Sequence, residues 1–153
     1  MSTKELREVG MSPMGDSEID QFLSNRDVGV LSLPAEDVPY LIPLSFTYDG
    51  ESAVYFTYLL GADSRKEELT ESADVARFLV YSVDSAFHWE SVIVSGPIEA
   101  VPRDEWEQSG LANPWRPDLF EGADLSRGVR VYRLTVEEQN GIKHAGLPPG
   151  FKP

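Results

Sequence analysis

The strongest constraint on the fold is a series of β-rich segments that follow one another without long helices between them. The first three are Val28–Leu33, Tyr40–Tyr48 and Ala53–Tyr58. Between the second and the third lies Asp49-Gly50, a dipeptide typical of β-hairpin turns. The pattern predicts three antiparallel strands connected as a meander.

Three further β-rich segments extend this pattern. Val75–Val83 predicts a fourth strand, and Ser91–Val101 predicts a fifth that is bent or bulged at Gly96-Pro97. Val129–Glu137 has the period-two alternation of a sixth strand. Six strands in meander order predict a mainly β fold, a small six-stranded antiparallel β-barrel, and exclude a βαβ sheet.

Short peripheral helices are expected at the joints between strands. Asp16-Ser17 precedes an amphipathic helix with Ile19, Phe22 and Leu23 on one face. Ser64 precedes a polar helix over Arg65–Ser72, which we expect to lie on the surface. The remaining predictions are a helix at Pro102–Ser109, a packed loop at Leu111–Gly128 and an extended or mobile tail from Gly141.

The length and composition predict one domain. A chain of 153 residues can bury a core without a metal or disulfide, and we expect that core at about 16–141, with flexible tails at both ends of 1–153. No apolar run is long enough to span a membrane, and residues 1–14 lack the apolar stretch of a secretory signal. These features predict a cytoplasmic protein.

The charge of the chain excludes one class of partner. With 26 acidic and 13 basic residues, the net charge of −13 repels phosphate backbones, so nucleic acid is not an expected partner. An acidic surface with only four lysines suits a salt-rich cytoplasm, which screens self-repulsion within about 3 Å at 1 M salt. We therefore expect a halophilic source; the alternative is an ordinary acidic cytosolic protein.

The absence of cysteine removes several kinds of chemistry. It excludes disulfide scaffolds, zinc ribbons, iron–sulfur ligation and thiol catalysis. His88 and His144 are the only histidines, so no metal site is expected. His88, beside Trp89, fits either a proton donor or a packing pair, and Trp106 and Trp115 fit either cofactor contact or core packing.

The segment from Phe56 to Lys66 is the candidate binding site. A strand carrying Thr57 leads through a glycine-containing loop to a helix that begins after Ser64, with Arg65 and Lys66 in its first turn. Cations there oppose the helix dipole, so a bound anion would compensate them. Hydroxyls, free amides and two cations could converge on one phosphate monoester. The alternative is that both cations are solvated and balanced by the acidic residues that follow them.

The order of these segments along the chain and the residue pattern within them resemble those of the pyridoxamine 5′-phosphate oxidase-like family of flavin-binding split barrels. The resemblance is carried by Val28–Leu33, Pro39–Gly50, Val54–Thr57, Ser64–Lys66 and Trp89–Gly96, in that order. The nitroimidazole-resistance-like branch is the most similar, although its members often have histidine where this chain has Thr57. The last strand, Val131–Val136, lacks the Trp-Arg-Leu-His-type stretch of the vitamin B6 oxidases.

The resemblance implies a split barrel that binds FMN at the interface of a homodimer. The implied phosphate ligands are Thr57, Ser64, Arg65 and Lys66. The second strand would lie along the flavin ring and Ser91 would reach it from a neighbouring strand; the residues of that strand are Pro43, Leu44, Ser45 and Phe46. The implied function is an FMN-dependent oxidoreductase of unknown small-molecule substrate. The alternatives are a flavin- or haem-binding module without turnover and a purely structural dimerisation barrel.

Overall fold

The computed structural model describes residues 1–61, 64–106, 128–147 and 150–151. They form nine β-strands, three α-helices and one 3₁₀ turn. The strands are β1 (Met11–Pro13), β2 (Val28–Leu33), β3 (Tyr40–Tyr48), β4 (Ala53–Leu60), β5 (Ala76–Ser85), β6 (His88–Gly96), β7 (Ile98–Ala100), β8 (Gly128–Thr135) and β9 (Glu138–Ala145). The helices are α1 (Thr3–Glu8), α2 (Asp16–Ser24) and α3 (Arg65–Ser72), and the 3₁₀ turn is Arg103–Glu105.

All described strand pairs are antiparallel, in the order β1-β9-β6-β5-β2-β3-β4-β8-β7. Strands β6 and β7 are separated only by Pro97, yet they pair in two different halves of the sheet. The sheet therefore curls. One continuous stretch of chain therefore joins both halves. The mainly β, split-barrel fold predicted from the sequence is confirmed.

The connections differ from a simple meander. The predicted meander of β2, β3 and β4 is confirmed, and β2 and β3 have the predicted bounds. The next strand, β5, does not pair with β4 but returns to β2, with α3 in the connection. This placement leaves β4 free to pair along its whole length with β8.

The predicted number of six strands is too low for the described residues. The predicted tail from Gly141 contains most of β9, which pairs with β6 on one side and with β1 on the other. The predicted fifth strand is two strands, because Pro97 has no amide hydrogen and interrupts the ladder. Regular structure also precedes the predicted core, at α1 and β1.

Gly96 marks the point where the two halves of the sheet meet. A Cβ atom at this position would lie 1.7 Å from the carbonyl oxygen of Thr135. Close beside it, the amide of Glu137 donates to the carbonyl of Ser95, and the amide of Thr135 donates to the carbonyl of Pro97. Only glycine allows the backbones to approach this closely, which explains why the Gly96-Pro97 break could be recognised in the sequence.

The helices mostly follow the predictions. In α2 the predicted face is buried, but the N-cap is Gly15 without a side-chain cap, one residue before the expected Asp16-Ser17. The predicted helix at Pro102–Ser109 is a short 3₁₀ turn in its described part. Most of the predicted loop at Leu111–Gly128, with Trp115, lies outside the described residues.

One apolar core fills the curled sheet. Three phenylalanines from β3, β4 and β5 form its centre: the ring of Phe78 meets those of Phe46 and Phe56 edge-to-face, at 5.1 and 4.8 Å between centroids. The apolar face of α2 packs onto the same core. Core residues alternate along the strands with residues of the opposite, outer face. In the part of the chain that the structure describes, no helix has the length and apolar character needed to cross a bilayer.

Candidate functional site

The sheet opens between β3 and β4. Along β3, Tyr40–Ser45 pair with β2, whereas the β3–β4 ladder joins only Phe46, Thr47 and Tyr48 to their partners on β4. The far half of β4, Thr57–Leu60, pairs with β8 on one side and has no described pairing with β3 on the other. We call the space between Tyr40–Ser45 and Thr57–Leu60 the split.

The beginning of α3 joins the two sides of the split. The guanidinium of Arg65 lies 5.7 Å from the centre of the Tyr40 ring, on β3. The ammonium of Lys66 lies 5.2 Å from the centre of the Tyr58 ring, on β4. Each contact is within the range of a cation–π interaction. The two cations of the predicted phosphate site therefore lie together, one on each wall.

Neither cation has a carboxylate partner among the described residues. The ion pairs of this part of the chain are formed by Arg133 with Glu99 and Lys143 with Glu18, and the contacts of Arg65 and Lys66 are with aromatic rings. Burial lowers the pKa of the half-buried Lys66, because removing water disfavours an uncompensated charge. The alternative prediction is that the acidic residues after Arg65 and Lys66 balance their charges. Among the described residues, no ion pair joins these cations to those acids.

The helix itself is fixed to the core by buried hydroxyl groups. The Tyr58 hydroxyl and Thr70 Oγ1 are 2.8 Å apart, and Thr70 Oγ1 donates to the carbonyl of Lys66. One residue further, the Tyr132 hydroxyl donates a 2.6 Å hydrogen bond to Glu71 Oε1. These bonds hold the first turn of α3 at the split.

Ser64 has a structural role in this arrangement. It is buried and is the N-cap of α3, where its Oγ accepts from the amide of Glu67 at 3.2 Å. The amides of Arg65 and Lys66 precede the first intrahelical hydrogen bond, as in any α-helix. The N-terminal end of α3, which carries the positive end of the helix dipole, thus lies at the split together with the two cations.

The structure distributes the other predicted site residues over two faces. Pro43 and Ser45 lie on the outer face of β3, and Thr57 lies on the outer face of β4. Leu44 and Phe46 are buried in the core, so only their backbone atoms could line the split. The β3–β4 ladder ends at the pair Phe46–Phe56. Ser45 and Thr57 are the next residues on the open side of this pair, and both lie on the outer face.

Ser91 lies far from these residues within one chain. Ser45 pairs with Val28 of β2, and Ser91 pairs with Tyr81 of β5, all on the outer face. Three strand spacings separate β3 from β6, which places the two serines about 14 Å apart. Arg65 and Lys66 lie at the two walls of the split, and Ser64 caps their helix. Thr57 lies on the outer face of β4, and Ser91 lies three strand spacings from β3.

Sequence reasoning missed the two tyrosines beneath the cations. Tyr40 and Tyr58 were assigned only to strands, although both lie on the core-facing side of strands that border the split. Their alternation with outer residues was visible in the sequence, but the pairing of each with a cation depends on where α3 lies. No local pattern reports that position.

The other candidates occupy different places. Trp106 donates from its indole to the carbonyl of Val101, and His88 lies at the exposed beginning of β6. Trp89 packs against His144, with 5.8 Å between ring centroids. The aromatic partner of Trp89 is therefore His144, and both interpretations of His88, a proton donor or a packing pair with Trp89, stay predictions.

The family of the chain follows from a sequence comparison that covers most of the barrel. A family model described as "Pyridoxamine 5'-phosphate oxidase" matches residues 15–143. The chain belongs to the pyridoxamine 5′-phosphate oxidase family. The match includes both walls of the split, α3 and every strand from β2 to β8. None of the curated protein sequences matches this chain significantly.

Solved structures share the fold of this member of the pyridoxamine 5′-phosphate oxidase family. An FAD-binding protein from Mesorhizobium loti superposes with a TM-score of 0.71 at 20% identity, covering 88% of this chain and 99% of that one. A candidate 5-nitroimidazole antibiotic resistance protein from Bacteroides thetaiotaomicron gives 0.63 at 17%, covering 88% and 89%. An FAD and haem binding protein from Mycobacterium smegmatis gives 0.66 at 15%, covering 93% and 77%. At these identities the similarity concerns the fold.

Proposed function

We propose that this protein binds a flavin mononucleotide, with the phosphate at the split. The observation that carries the proposal is the placement of Arg65 and Lys66 on the two walls of the split without carboxylate partners among the described residues. In a chain with twice as many acids as bases, two such neighbouring cations favour an anionic ligand. Membership of the family and the flavin-binding descriptions of proteins with this fold support a flavin.

The described residues fit a phosphate monoester. Arg65 and Lys66 supply charge-assisted hydrogen bonds, the first turn of α3 supplies amides, and Thr57 supplies a hydroxyl from β4. Ser64 acts by capping the helix that carries the two cations. Beyond the phosphate, the outer side of β3 at Pro43–Phe46 offers a surface for the flavin ring, which Leu44 and Phe46 would meet through their backbone.

We propose further that two copies of the chain associate through the outer face of β2, β3, β5 and β6. Pro43, Val30, Leu79 and Ile93 form one cross-strand row on this face. The row is flanked by four exposed apolar residues, Val28, Leu41, Tyr81 and Val83, and Arg77 lies on the same face. Such a face in so acidic a chain favours a second copy as occupant. In this homodimer, Ser91 of one copy could approach the flavin of the other.

An FMN-dependent oxidoreductase is the function that best fits these features. A bound flavin supplies hydride or electron transfer, and the protein supplies binding, orientation and electrostatics. The scarcity of histidine and the absence of cysteine agree with a reaction that needs few catalytic side chains. The second candidate, a flavin-binding module without turnover, uses the same split. For both we propose a cytoplasmic location.

Titration of the purified protein with FMN tests the proposal. We expect quenching of flavin fluorescence that saturates near one FMN per chain, and a yellow protein after removal of the excess. Riboflavin, which lacks the phosphate, should bind at least tenfold more weakly. Equal affinity for both flavins would exclude the phosphate site at α3, and no binding of either would exclude the flavoprotein. Reduction by NADH or NADPH and reoxidation separate the enzyme from the carrier.

A further inference from the structure

Both histidines of the chain come together at one corner of the molecule. His88 begins β6 and is the register partner of Ala145, and Trp89 is the partner of His144 on β9. The His144 ring meets the rings of Phe87 and Trp89 edge-to-face, at 5.7 and 5.8 Å between centroids. His144 is buried, and its Nε2 has no hydrogen-bond partner in the described structure. The cluster therefore forms an aromatic wall.

An open cavity of about 590 Å³ lies beside Phe87 of this wall. Its lining comes from the β5–β6 turn and from the chain that follows β9, and consists of Ser85, Phe87, His88, Gly146, Leu147 and Phe151. The volume is within the range of pockets for small organic ligands. Phe87 and Phe151 are 46% and 66% exposed, so both rings present apolar surface that a ligand could cover.

One glycine and one backbone hydrogen bond position the chain that lines the cavity. Gly146 has a φ of +106°, a conformation that L side chains rarely adopt. Its amide donates a 2.7 Å hydrogen bond to the carbonyl of Phe87. This bond connects the chain after β9 to the β5–β6 turn, and Leu147, the next residue, lines the cavity.

The lining has an unusual electrostatic character for this protein. Asp and Glu are 26 of the 153 residues, yet the described residues that line the cavity include no carboxylate, lysine or arginine. The imidazole of His88 and the hydroxyl of Ser85 are the polar side chains of the lining. An anionic ligand would find no cation among the described lining residues and would be repelled by the net charge of the protein.

We propose that this cavity binds a planar, uncharged aromatic molecule, which stacks against Phe87 and is oriented by a hydrogen bond to His88. Aromatic pairs with offset or edge-to-face geometry are more stable than their buried area alone accounts for. The strands β2 and β5 separate β6 from β3 in the sheet, so within one chain the cavity is distinct from the split. The proposal does not depend on flavin binding.

Binding of N-phenyl-1-naphthylamine, an uncharged aromatic fluorophore, tests the proposal. We expect saturable enhancement of its fluorescence, with at least tenfold weaker binding of the anionic 8-anilinonaphthalene-1-sulfonate. Phe87→Ala and, separately, Leu147→Glu should each weaken the uncharged probe at least tenfold. Val38→Ala is the control, since Val38 is an exposed apolar residue between β2 and β3 and does not line the cavity. Circular dichroism shows whether each variant is folded.

Three outcomes would overturn the inference. Absence of saturable binding to the wild-type protein would show that the cavity takes no such ligand. Weakening by Val38→Ala but not by Phe87→Ala or Leu147→Glu would place the probe outside the cavity. Equal affinity for the sulfonate would exclude the selection for uncharged molecules. Because FMN is titrated separately, failure here and failure of the flavin proposal are distinguishable.

Discussion

Lys66 Nζ lies 5.2 Å from the centre of the ring of Tyr58, a residue that is completely buried. The hydroxyl of the same tyrosine is 2.8 Å from Thr70 Oγ1, which in turn donates to the carbonyl of Lys66. One core residue thus contacts both the side chain of Lys66 and the helix that carries it. The position of the cation is fixed from inside the barrel.

Removal of either cation at the split should weaken FMN binding. A hydrogen bond to a charged group contributes about 1.5–3 kcal/mol, so Lys66→Ala and Arg65→Ala should each reduce FMN affinity by about 10- to 100-fold. The measurement is the quenching of flavin fluorescence. Arg26→Ala is the matched control, since Arg26 also lies over an aromatic ring, that of Phe22, at 4.6 Å. Unchanged affinity in both split variants would contradict the phosphate site.

A carboxylate on the outer face of the sheet should separate the proposed dimer. Ile93 is 45% exposed and lies in the cross-strand row of that face. Ile93→Asp would bury an unpaired charge in the interface but leave the monomer core intact. We expect analytical ultracentrifugation to give a dimer for the wild type and a monomer for the variant. Val38→Asp, at an exposed position between β2 and β3, should remain dimeric; a wild-type monomer would exclude the assembly.

Gly96→Ala should destabilise the barrel. The added methyl group would lie 1.7 Å from the carbonyl oxygen of Thr135, and both halves of the sheet would have to move apart. Overpacking a core usually costs about 1–3 kcal/mol, and we expect a loss of at least about 3 kcal/mol because the obstacle is backbone. Urea denaturation measures it. Gly61→Ala, where no atom lies within 4 Å of the added methyl group, is the control and should change stability little.

Stability should decrease at alkaline pH through the buried tyrosines. Burial raises the pKa of Tyr58 to about 12, compared with about 10 in an unfolded chain. Between these values the unfolded state releases the proton while the folded state keeps it, so the stabilisation is complete below pH 10 and is lost as pH rises toward 12. Burial also raises the pKa of Tyr132.

The measurement is the free energy of unfolding in urea from pH 8 to 11.5. Each tyrosine contributes a slope of up to about 1.4 kcal/mol per pH unit above pH 10. Tyr58→Phe should be less stable at pH 8, because Thr70 loses its partner, but should show a shallower decrease above pH 10. Identical slopes in the variant and the wild type would contradict the assignment to Tyr58.

Salt should stabilise the folded protein. The net charge of −13 makes the compact state repel itself, and about 1 M salt screens charges beyond about 3 Å. We expect the midpoint of urea denaturation to rise between 0.1 and 1 M KCl and then to level off. A midpoint that does not change with KCl would favour an ordinary acidic cytosolic protein over a halophilic one.

The sequence was sufficient for those strands whose apolar residues alternate. In β2 and β3 one face is core and the other is not, so even the bounds could be predicted. β9 could not be predicted, because its residues Glu138–Ala145 include mostly polar side chains and a glycine that makes room for Met14 and Ile19. Its pairing with β6 and β1 is a property of the assembled sheet.

The residues of the proposed phosphate site could be predicted from the sequence, but their arrangement in space could not. Helix capping by Ser64 and the two cations after it were readable as a local pattern. The split depends on where the β3–β4 ladder stops, and the strand order depends on the return of β5 to β2. Both are long-range pairings, for which local sequence carries no signal.

The pairing of β1 with β9 has a consequence for the order in which the barrel can form. Met11 is the register partner of His144, so this edge of the sheet joins residues more than 130 positions apart. During synthesis, the meander of β2, β3 and β4 can form from a contiguous nascent segment, whereas β1 has to wait on the emerging chain until β9 has left the ribosome. Until then Met14 and Ile19, which β9 covers at Gly141, remain open to solvent and available to a chaperone.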